Sequence, residues 1–148
     1  MDLYLREVTE EDRDLLFEWA NDPVVRRNAF HTEPISYETH VRWFRRMLEN
    51  EAVHQYILCR AGEPIGQIRL EVADGTALIG YSVASGQRGK GLGTALLALA
   101  GEKAGEVGDV KRLVGQVKRE NIASQRAFEK CGYRRTEEAD YITFVFEL

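Results

Sequence analysis

Cysteine is scarce in this sequence of 148 residues, which contains only Cys59 and Cys131. Two isolated cysteines form neither a disulfide framework nor a metal cluster, so we interpret each as a buried thiol in a reducing compartment. No apolar run approaches the ~20 residues that a membrane-spanning helix needs. The charged start MDLYLREV also excludes a signal peptide. These absences predict a cytoplasmic protein.

A basic excess is absent too, because the net charge is -4 and the isoelectric point is about 5.5. This charge gives no indication of a nucleic-acid or membrane-surface partner. There are only three prolines, which mark turns rather than a linker. The composition, 44% hydrophobic and 30% charged, is ordinary for a globular protein. We therefore expect one domain over residues 1–148.

Apolar periodicity and turn residues predict a mixed sheet flanked by helices, of α/β (α+β) class. The predicted order is β-α-α-β-β-β-α-β-α-β. The predicted strands are LYLREV, HQYILCR, PIGQIRLEV, TALIGYSV, KRLVGQV and YITFVFEL. TALIGYSV and KRLVGQV should be joined by a helical crossover, and hairpin turns are expected at AGEP and at Asp74-Gly75. His40 is expected on the surface of the helix YETHVRWFRRMLEN.

The stretch GQRGKGLGT, residues 86–94, resembles a phosphate-binding loop before a helix. Its spacing fits neither the Walker loop nor the dinucleotide fingerprint G-x-G-x-x-G. What remains is Arg88-x-x-Gly91-x-Gly93, in which glycines permit close approach to a ligand and unpaired helix N–H groups can bind an anion. A tight strand-to-helix turn without a ligand explains the glycines as well.

A second motif, NIASQRAFEKCGY, places Asn121 and Ser124 three residues apart at a helix start. Asn121 is a natural N-cap, and both side chains can also face a ligand lying between two strand ends. Capping alone is an equal explanation at this point.

VASGQRGKGLGTALL followed by NIASQRAFEKCGY resembles the GNAT superfamily of N-acetyltransferases. The resemblance implies the GNAT acyltransferase fold, acetyl-CoA as cosubstrate and no metal. It also implies that the sheet splays beside the strand ending at Val83, whose N–H would polarise the thioester carbonyl with Ser82 nearby. The implied coenzyme A residues are Ser82, Val83, Arg88, Gly89, Lys90, Gly91, Leu92, Gly93, Thr94, Asn121, Ser124 and Phe128.

The N-terminal half, LREVTEEDRDLLFEWANDPVVRRNAF and EPISYETHVRWFRRML, resembles the GNAT enzymes that acetylate nucleotide-linked amino-deoxy sugars in pseudaminic acid-type synthesis. It is less similar to enzymes that acetylate protein N-termini. The expected partner is therefore a small-molecule amine, with a homodimer left open. Candidate acceptor-binding residues are Arg26, Asn28, His31 and Arg69, although a solvated charge pair explains Arg26 equally well.

The catalytic residues are less well indicated. Many relatives place a thiolate-protonating tyrosine where this chain has Phe128. Tyr133, Tyr141 or water would then replace it, with core packing an alternative role for both tyrosines. Glu71 is a candidate base, acting directly or through water, with an ordinary solvated strand face as the alternative explanation. Tyr81 is a further candidate that would line the cleft.

Three functions follow from these observations. The first is acetylation of a nucleotide-linked amino sugar, and the second is acetylation of protein N-termini. The loss of the family tyrosine at Phe128 also leaves a catalytically weak CoA-binding module open.

Overall fold

The computed structural model describes residues 2–148, in which seven strands form one sheet. The strands are β1 Leu3–Glu7, β2 Val53–Arg60, β3 Glu63–Ala73, β4 Thr76–Val83, β5 Arg112–Lys118, β6 Arg134–Glu137 and β7 Tyr141–Glu147. The helices are α1 Arg13–Ala20, α2 Pro23–Asn28, α3 Tyr37–Glu49, α4 Leu92–Val107 and α5 Ile122–Lys130, with a 3-10 turn at Glu10–Asp12. The α/β class and the mixed sheet are confirmed.

The strands lie in the order β1-β2-β3-β4-β5-β7-β6, and all neighbours are antiparallel except β4 and β5. Both predicted hairpins form. At the β3–β4 turn, Asp74 and Gly75 have φ of 51° and 77°, the left-handed region that two-residue hairpin turns require. The predicted crossover is also present, since α4 connects the parallel strands β4 and β5.

Strands β4 and β5 separate at one end of the sheet. Their parallel pairing runs from Thr76↔Arg112 to Ile79↔Gly115. Beyond this point β4 continues to Val83 and β5 continues to Lys118. The splay implied by the family resemblance is therefore confirmed, and it opens a wedge in the middle of the sheet.

Helices cover both faces of the sheet. The larger core packs α4 and α5 against one face, with Leu96 and Phe128 at its centre. The smaller core packs Leu16 of α1 and Phe44 of α3 against Ile57 on the other face. The wedge between β4 and β5 is therefore accessible between two helical layers.

Local signals fix the ends of several helices. Ser36 caps α3 by accepting the Thr39 N–H at 3.2 Å. After α5, Gly132 has φ of 86°, and the Tyr133 N–H donates to the Phe128 carbonyl at 3.1 Å. This Schellman arrangement, with Gly132 in the left-handed C′ position, ends α5.

The stretch VVRRNAFHTEPI was expected to be irregular with room for a short helical turn, and α2 is that turn, because Asp22 accepts the Val24 N–H at 2.8 Å and proline occupies its first position. Three features differ from the sequence-based expectations. The four exposed residues of β6 show no alternation and were not predicted. His40 is buried rather than on the surface, with its Nε2 2.8 Å from the Arg13 carbonyl. Cys131 is partly exposed, whereas Cys59 is buried as expected.

Within residues 2–148, no helix combines the length and apolarity needed to cross a membrane.

Candidate active site

A cleft of about 750 Å³ occupies the wedge between β4 and β5. One wall is the glycine loop with the first turn of α4, and another is α5. The segment from α2 to Phe30 lies along the other side. The cleft thus joins the two sides of the sheet through the gap between its strands.

The glycine loop presents main chain to the cleft. Gly89 and Gly91 have φ of 78° and 77°, and a Cβ at either position would meet no atom within 4 Å. Gly91 is the N-cap residue of α4, so the unpaired N–H groups of the first helical turn lie beside the loop. A pyrophosphate is the kind of group that such a helix start can bind.

The floor of the cleft includes the C-terminal end of β4. The Ala84 N–H donates to the Ile65 carbonyl of the β3 side at 2.9 Å. Because N–H directions alternate along a strand, the Val83 N–H points to the opposite edge, where β4 has left β5. The family resemblance predicts that this donor polarises the thioester carbonyl.

The start of α5 contributes a hydroxyl pair. The Asn121 side chain accepts the Ser124 N–H at 3.3 Å, so Asn121 both caps α5 and lines the cleft. The Ser124 hydroxyl lies 2.8 Å from the Tyr81 hydroxyl. Tyr81 also packs on Gly93, where a Cβ would lie 3.4 Å from its hydroxyl. The two helix starts therefore meet around one partly buried tyrosine.

The charged groups lining the cleft share one sign. They are Arg69, Arg88, Arg126 and Lys130, and among residues 2–148 no Asp or Glu lines it. Three of these cations lie on the loop or on α5, on the side where phosphates would bind. Arg69 lies on β3, on the α3 side of the sheet, with its guanidinium over the Trp43 ring.

Phe128 packs into the core as well as lining the cleft. Its ring stacks on Phe144, with centroids 5.1 Å apart, and meets Tyr133 edge-on at 4.9 Å. Its Cζ lies 2.2 Å from the place a Cβ on Gly115 would occupy. The position of the ring therefore depends on glycine at the last residue of β5 that pairs with β4.

Most of the predicted site residues converge on this cleft. Those that line it are Asn28, Arg69, Tyr81, Ser82, Val83, Arg88, Gly89, Gly91, Leu92, Gly93, Thr94, Asn121, Ser124 and Phe128. Their individual roles stay predictions.

Five predicted residues lie outside the cleft. Glu71 pairs with Arg69 at 3.1 Å and lines a neighbouring pocket beside α3, so it does not reach the wedge. Tyr133 is buried in the core and its hydroxyl has no hydrogen-bond partner. Arg26 donates to the carbonyls of Ala20 and His31, which fixes the segment after α2 instead of leaving its guanidinium for a phosphate.

The other two are exposed. His31 does not line the cleft, and its carbonyl accepts a hydrogen bond from Arg26. Lys90 points along the outside of the loop, with its Nζ 3.4 Å from the Gln87 side chain.

Sequence reasoning missed part of the lining. Val24, Val25 and Phe30 come from α2 and the segment after it, where only Arg26, Asn28 and His31 were predicted to bind a ligand. Arg126 and Lys130 are four residues apart on α5, a spacing that places them on one face and could have identified them.

A family model described as an acetyltransferase (GNAT) domain matches residues 2–134 of this chain. The chain belongs to the GNAT acetyltransferase family. A curated relative from Klebsiella pneumoniae, aminoglycoside N(6')-acetyltransferase type 1, is 26% identical over 88% of this chain and 73% of its own length.

Two solved GNAT structures share the fold. Spermidine N-acetyltransferase from Vibrio cholerae, in complex with CoA and spermine, superposes with a TM-score of 0.89 at 18% identity, covering 98% of this chain and 95% of that one. An aminoglycoside acetyltransferase bound to coenzyme A and kanamycin gives a TM-score of 0.85 at 24% identity, covering 99% and 95%.

The protein is thus a GNAT enzyme that uses acetyl-CoA to acetylate amines. The cleft fits this cosubstrate, because an open strand edge, a glycine-rich helix start and cationic side chains occur together. No group of three or more His, Cys, Asp or Glu side chains within residues 2–148 is arranged to hold a metal ion.

Proposed function

We propose that this GNAT enzyme acetylates the primary amine of an acceptor that also carries negative charge, and that this acceptor is an amino-deoxy sugar linked to a nucleotide. The observation that carries the proposal is the charge of the cleft. Arg69 lies at the acceptor end, and no carboxylate of residues 2–148 lines the cleft. A nucleotide-linked sugar supplies phosphate to a guanidinium and has one amine to be acetylated.

Arg69 is held in place to receive such a group. Its guanidinium lies over the Trp43 ring at 5.5 Å, and its Nε lies 3.1 Å from Glu71. One of its terminal nitrogens lies over Gly80, 3.4 Å from where a Cβ would be. Because Gly80 has no side chain, the guanidinium can lie against β4 where that strand lines the cleft.

The relatives' names indicate a different acceptor charge. They describe acetylation of aminoglycosides and spermidine, which are polycations at neutral pH. Binding a polycation beside Arg69 brings like charges together. Glu71 pairs with Arg69 from the neighbouring pocket, and no carboxylate of residues 2–148 lines the cleft itself to receive the ammonium groups of such an acceptor. The cleft therefore favours an anionic acceptor over the acceptors of these relatives.

The proposed acetyl transfer uses the glycine loop with α4 on one side of the cleft and the end of β4 on the other. The glycine loop and α4 would hold the pyrophosphate, while the Val83 N–H stabilises the oxyanion as the amine attacks the thioester carbonyl. Removing one such donor typically costs about 3 kcal/mol of transition-state stabilisation. Since Glu71 lies outside the cleft, the amine loses its proton to water. The single sheet supports one catalytic domain over residues 1–148.

A thiol-release assay tests the acceptor. The purified chain is given acetyl-CoA with a UDP-linked 4-amino sugar, spermine, an aminoglycoside or a short peptide with a free N-terminus. We expect the highest kcat/KM with the UDP-linked sugar. Faster turnover of spermine, the aminoglycoside or the peptide overturns the acceptor, and CoA binding without any turnover favours a binding module.

The variant Arg69→Gln tests whether Arg69 binds the phosphate of the acceptor. Losing a charge-assisted contact with phosphate should raise KM for the UDP-linked sugar about tenfold or more, with KM for acetyl-CoA unchanged. Arg46→Gln is the matched control, because Arg46 lines the neighbouring pocket and not the cleft. An equal rise in KM in both variants would mean that the effect comes from the overall charge and not from a contact with Arg69.

A further inference from the structure

The last step of acetyl transfer leaves a thiolate that needs a proton, and Phe128 has no hydroxyl to give. Tyr81 is the only tyrosine that lines the cleft within residues 2–148. We infer that Tyr81 donates the proton to the departing thiolate of coenzyme A, with Ser124 as the residue that positions its hydroxyl. This inference rests on the acetyl-transfer reaction and is independent of which amine is the acceptor.

The position of the Tyr81 hydroxyl supports the role. It lies 2.8 Å from the Ser124 Oγ and against Gly93, between the first turns of α4 and α5. Tyr81 and Val83 are two residues apart on β4, so their side chains lie on one face of the strand. The phenol therefore borders the path between the pyrophosphate loop and the thioester carbonyl.

Ser124 leaves the phenolic proton available. The Ser124 main-chain N–H is fixed by Asn121, while its hydroxyl is free to rotate. When Ser124 donates its hydroxyl proton to the Tyr81 oxygen, the Tyr81 proton can point into the cleft. The same serine bond then stabilises the phenolate after proton transfer.

The electrostatics keep Tyr81 an acid at neutral pH. Burial raises the pKa of Tyr81, and the hydrogen bond with Ser124 opposes this by lowering it. The phenol is therefore protonated before reaction, so it can act as a proton donor and not as the base that activates the amine.

The atoms, electrons and protons of this step balance. The C–S bond breaks with its electron pair remaining on sulfur, and the Tyr81 O–H proton passes to that sulfur. The proton lost by the acceptor nitrogen then reaches the phenolate through water. The net result is transfer of one proton from nitrogen to sulfur, with Tyr81 restored.

Two other tyrosines provide comparisons. Tyr133 is buried against Phe128 and Phe146, and it does not line the cleft. Tyr56 is also buried, on β2, far from the wedge between β4 and β5. If Tyr81 is the donor, removing either of these hydroxyls leaves the proton transfer unaffected.

The test measures thiol release with hydroxylamine, a small nucleophile that needs no acceptor-side contacts. Tyr81→Phe should lower kcat about 100-fold, remove the alkaline limb of the kcat pH profile, and leave the calorimetric Kd for CoA within about twofold. Ser124→Ala should lower kcat less, and Ser124→Thr should restore it. Tyr56→Phe is the control and should match the wild type.

Two outcomes overturn the inference. One is a CoA-binding Tyr81→Phe variant whose kcat stays within about threefold of the wild type. The other is a loss of kcat in Tyr133→Phe but not in Tyr81→Phe. Failure of the acceptor proposal changes neither outcome, because hydroxylamine replaces the natural acceptor in every arm.

Discussion

Arg88 of the glycine loop forms an ion pair with Asp22, with 3.2 Å between the guanidinium Nη2 and the carboxylate Oδ1. The same carboxylate caps α2 by accepting the Val24 N–H. The residue expected to bind pyrophosphate is therefore tied, in the free enzyme, to the helix that lines the acceptor side. If Arg88 binds the pyrophosphate as predicted, Asp22 and the pyrophosphate compete for one guanidinium.

Asp22→Asn should tighten CoA binding. Asparagine keeps the cap but removes the negative charge that competes for Arg88. Since half-exposed ion pairs contribute about 0.2–1 kcal/mol, we expect the Kd for CoA to fall about two- to fivefold at low ionic strength, measured by calorimetry. The gain should shrink as salt is added.

The control for this prediction is Asp14→Asn, which removes an exposed carboxylate that pairs with Arg13. Its affinity for CoA should equal that of the wild type. Weaker binding in a folded Asp22→Asn variant would contradict the prediction and show that Asp22 holds Arg88 in its binding position.

Gly91→Glu should abolish CoA binding, because it places bulk and negative charge at the helix start facing the cleft. Gly86→Glu is a matched control, since Gly86 also has a positive φ, 87°, but does not line the cleft. Both variants should lose about 1–2 kcal/mol of stability from the left-handed backbone. Only Gly91→Glu should lose the thermal shift with CoA, and retained binding there would show that the loop is misassigned.

Local patterns predicted the elements that build the cleft. The apolar stripe after the glycine loop identified α4, and Gly132 marked the end of α5 because only the left-handed region closes such a helix. The element order with its single crossover then brought the glycine loop and Asn121 to the same strand ends. These signals depend on residues close together in the chain.

Long-range packing was not predictable in the same way. Glu71 shares the polar face of β3 with Arg69, and only the paired sheet shows that Arg69 reaches the cleft and Glu71 does not. His40 sits in a polar-looking helix sequence, yet α3 turns it towards the Arg13 carbonyl. The strand β6 has no apolar alternation and exists because β7 pairs with it.

Gly115→Ala should destabilise the fold by forcing the Phe128 ring to move. The added Cβ would lie 2.2 Å from the ring Cζ, and the ring is held by Phe144 and Tyr133. Overpacking of this kind typically costs about 1–3 kcal/mol, measured by denaturant unfolding. Combining it with Phe128→Leu should cost less than the sum of the single changes. Additive effects would show that the two positions do not compete for space.

The free energy of unfolding should fall at acid pH, because Asp12 then takes up a proton and loses its ion pair with Arg6. Arg6 donates to both carboxylate oxygens at 2.8 Å, and the Thr9 N–H donates at 2.8 Å. The bond from Arg6 holds the pKa of Asp12 below its ordinary 3.8. The unfolded state therefore takes up the proton first, and the stabilisation is complete above pH 3.8 and lost as pH falls through the lower folded pKa.

Asp12→Asn removes this pH dependence. The variant should be about 1–3 kcal/mol less stable than the wild type at pH 7, since the half-exposed Arg6 loses its charged partner. That difference should stay constant down to about pH 5 and shrink below pH 3.8, where protonated Asp12 resembles the amide. The exposed Asp140→Asn is the control and should follow the wild type throughout. A difference that persists in strong acid would mean that the introduced amide disturbs packing instead of removing an ion pair.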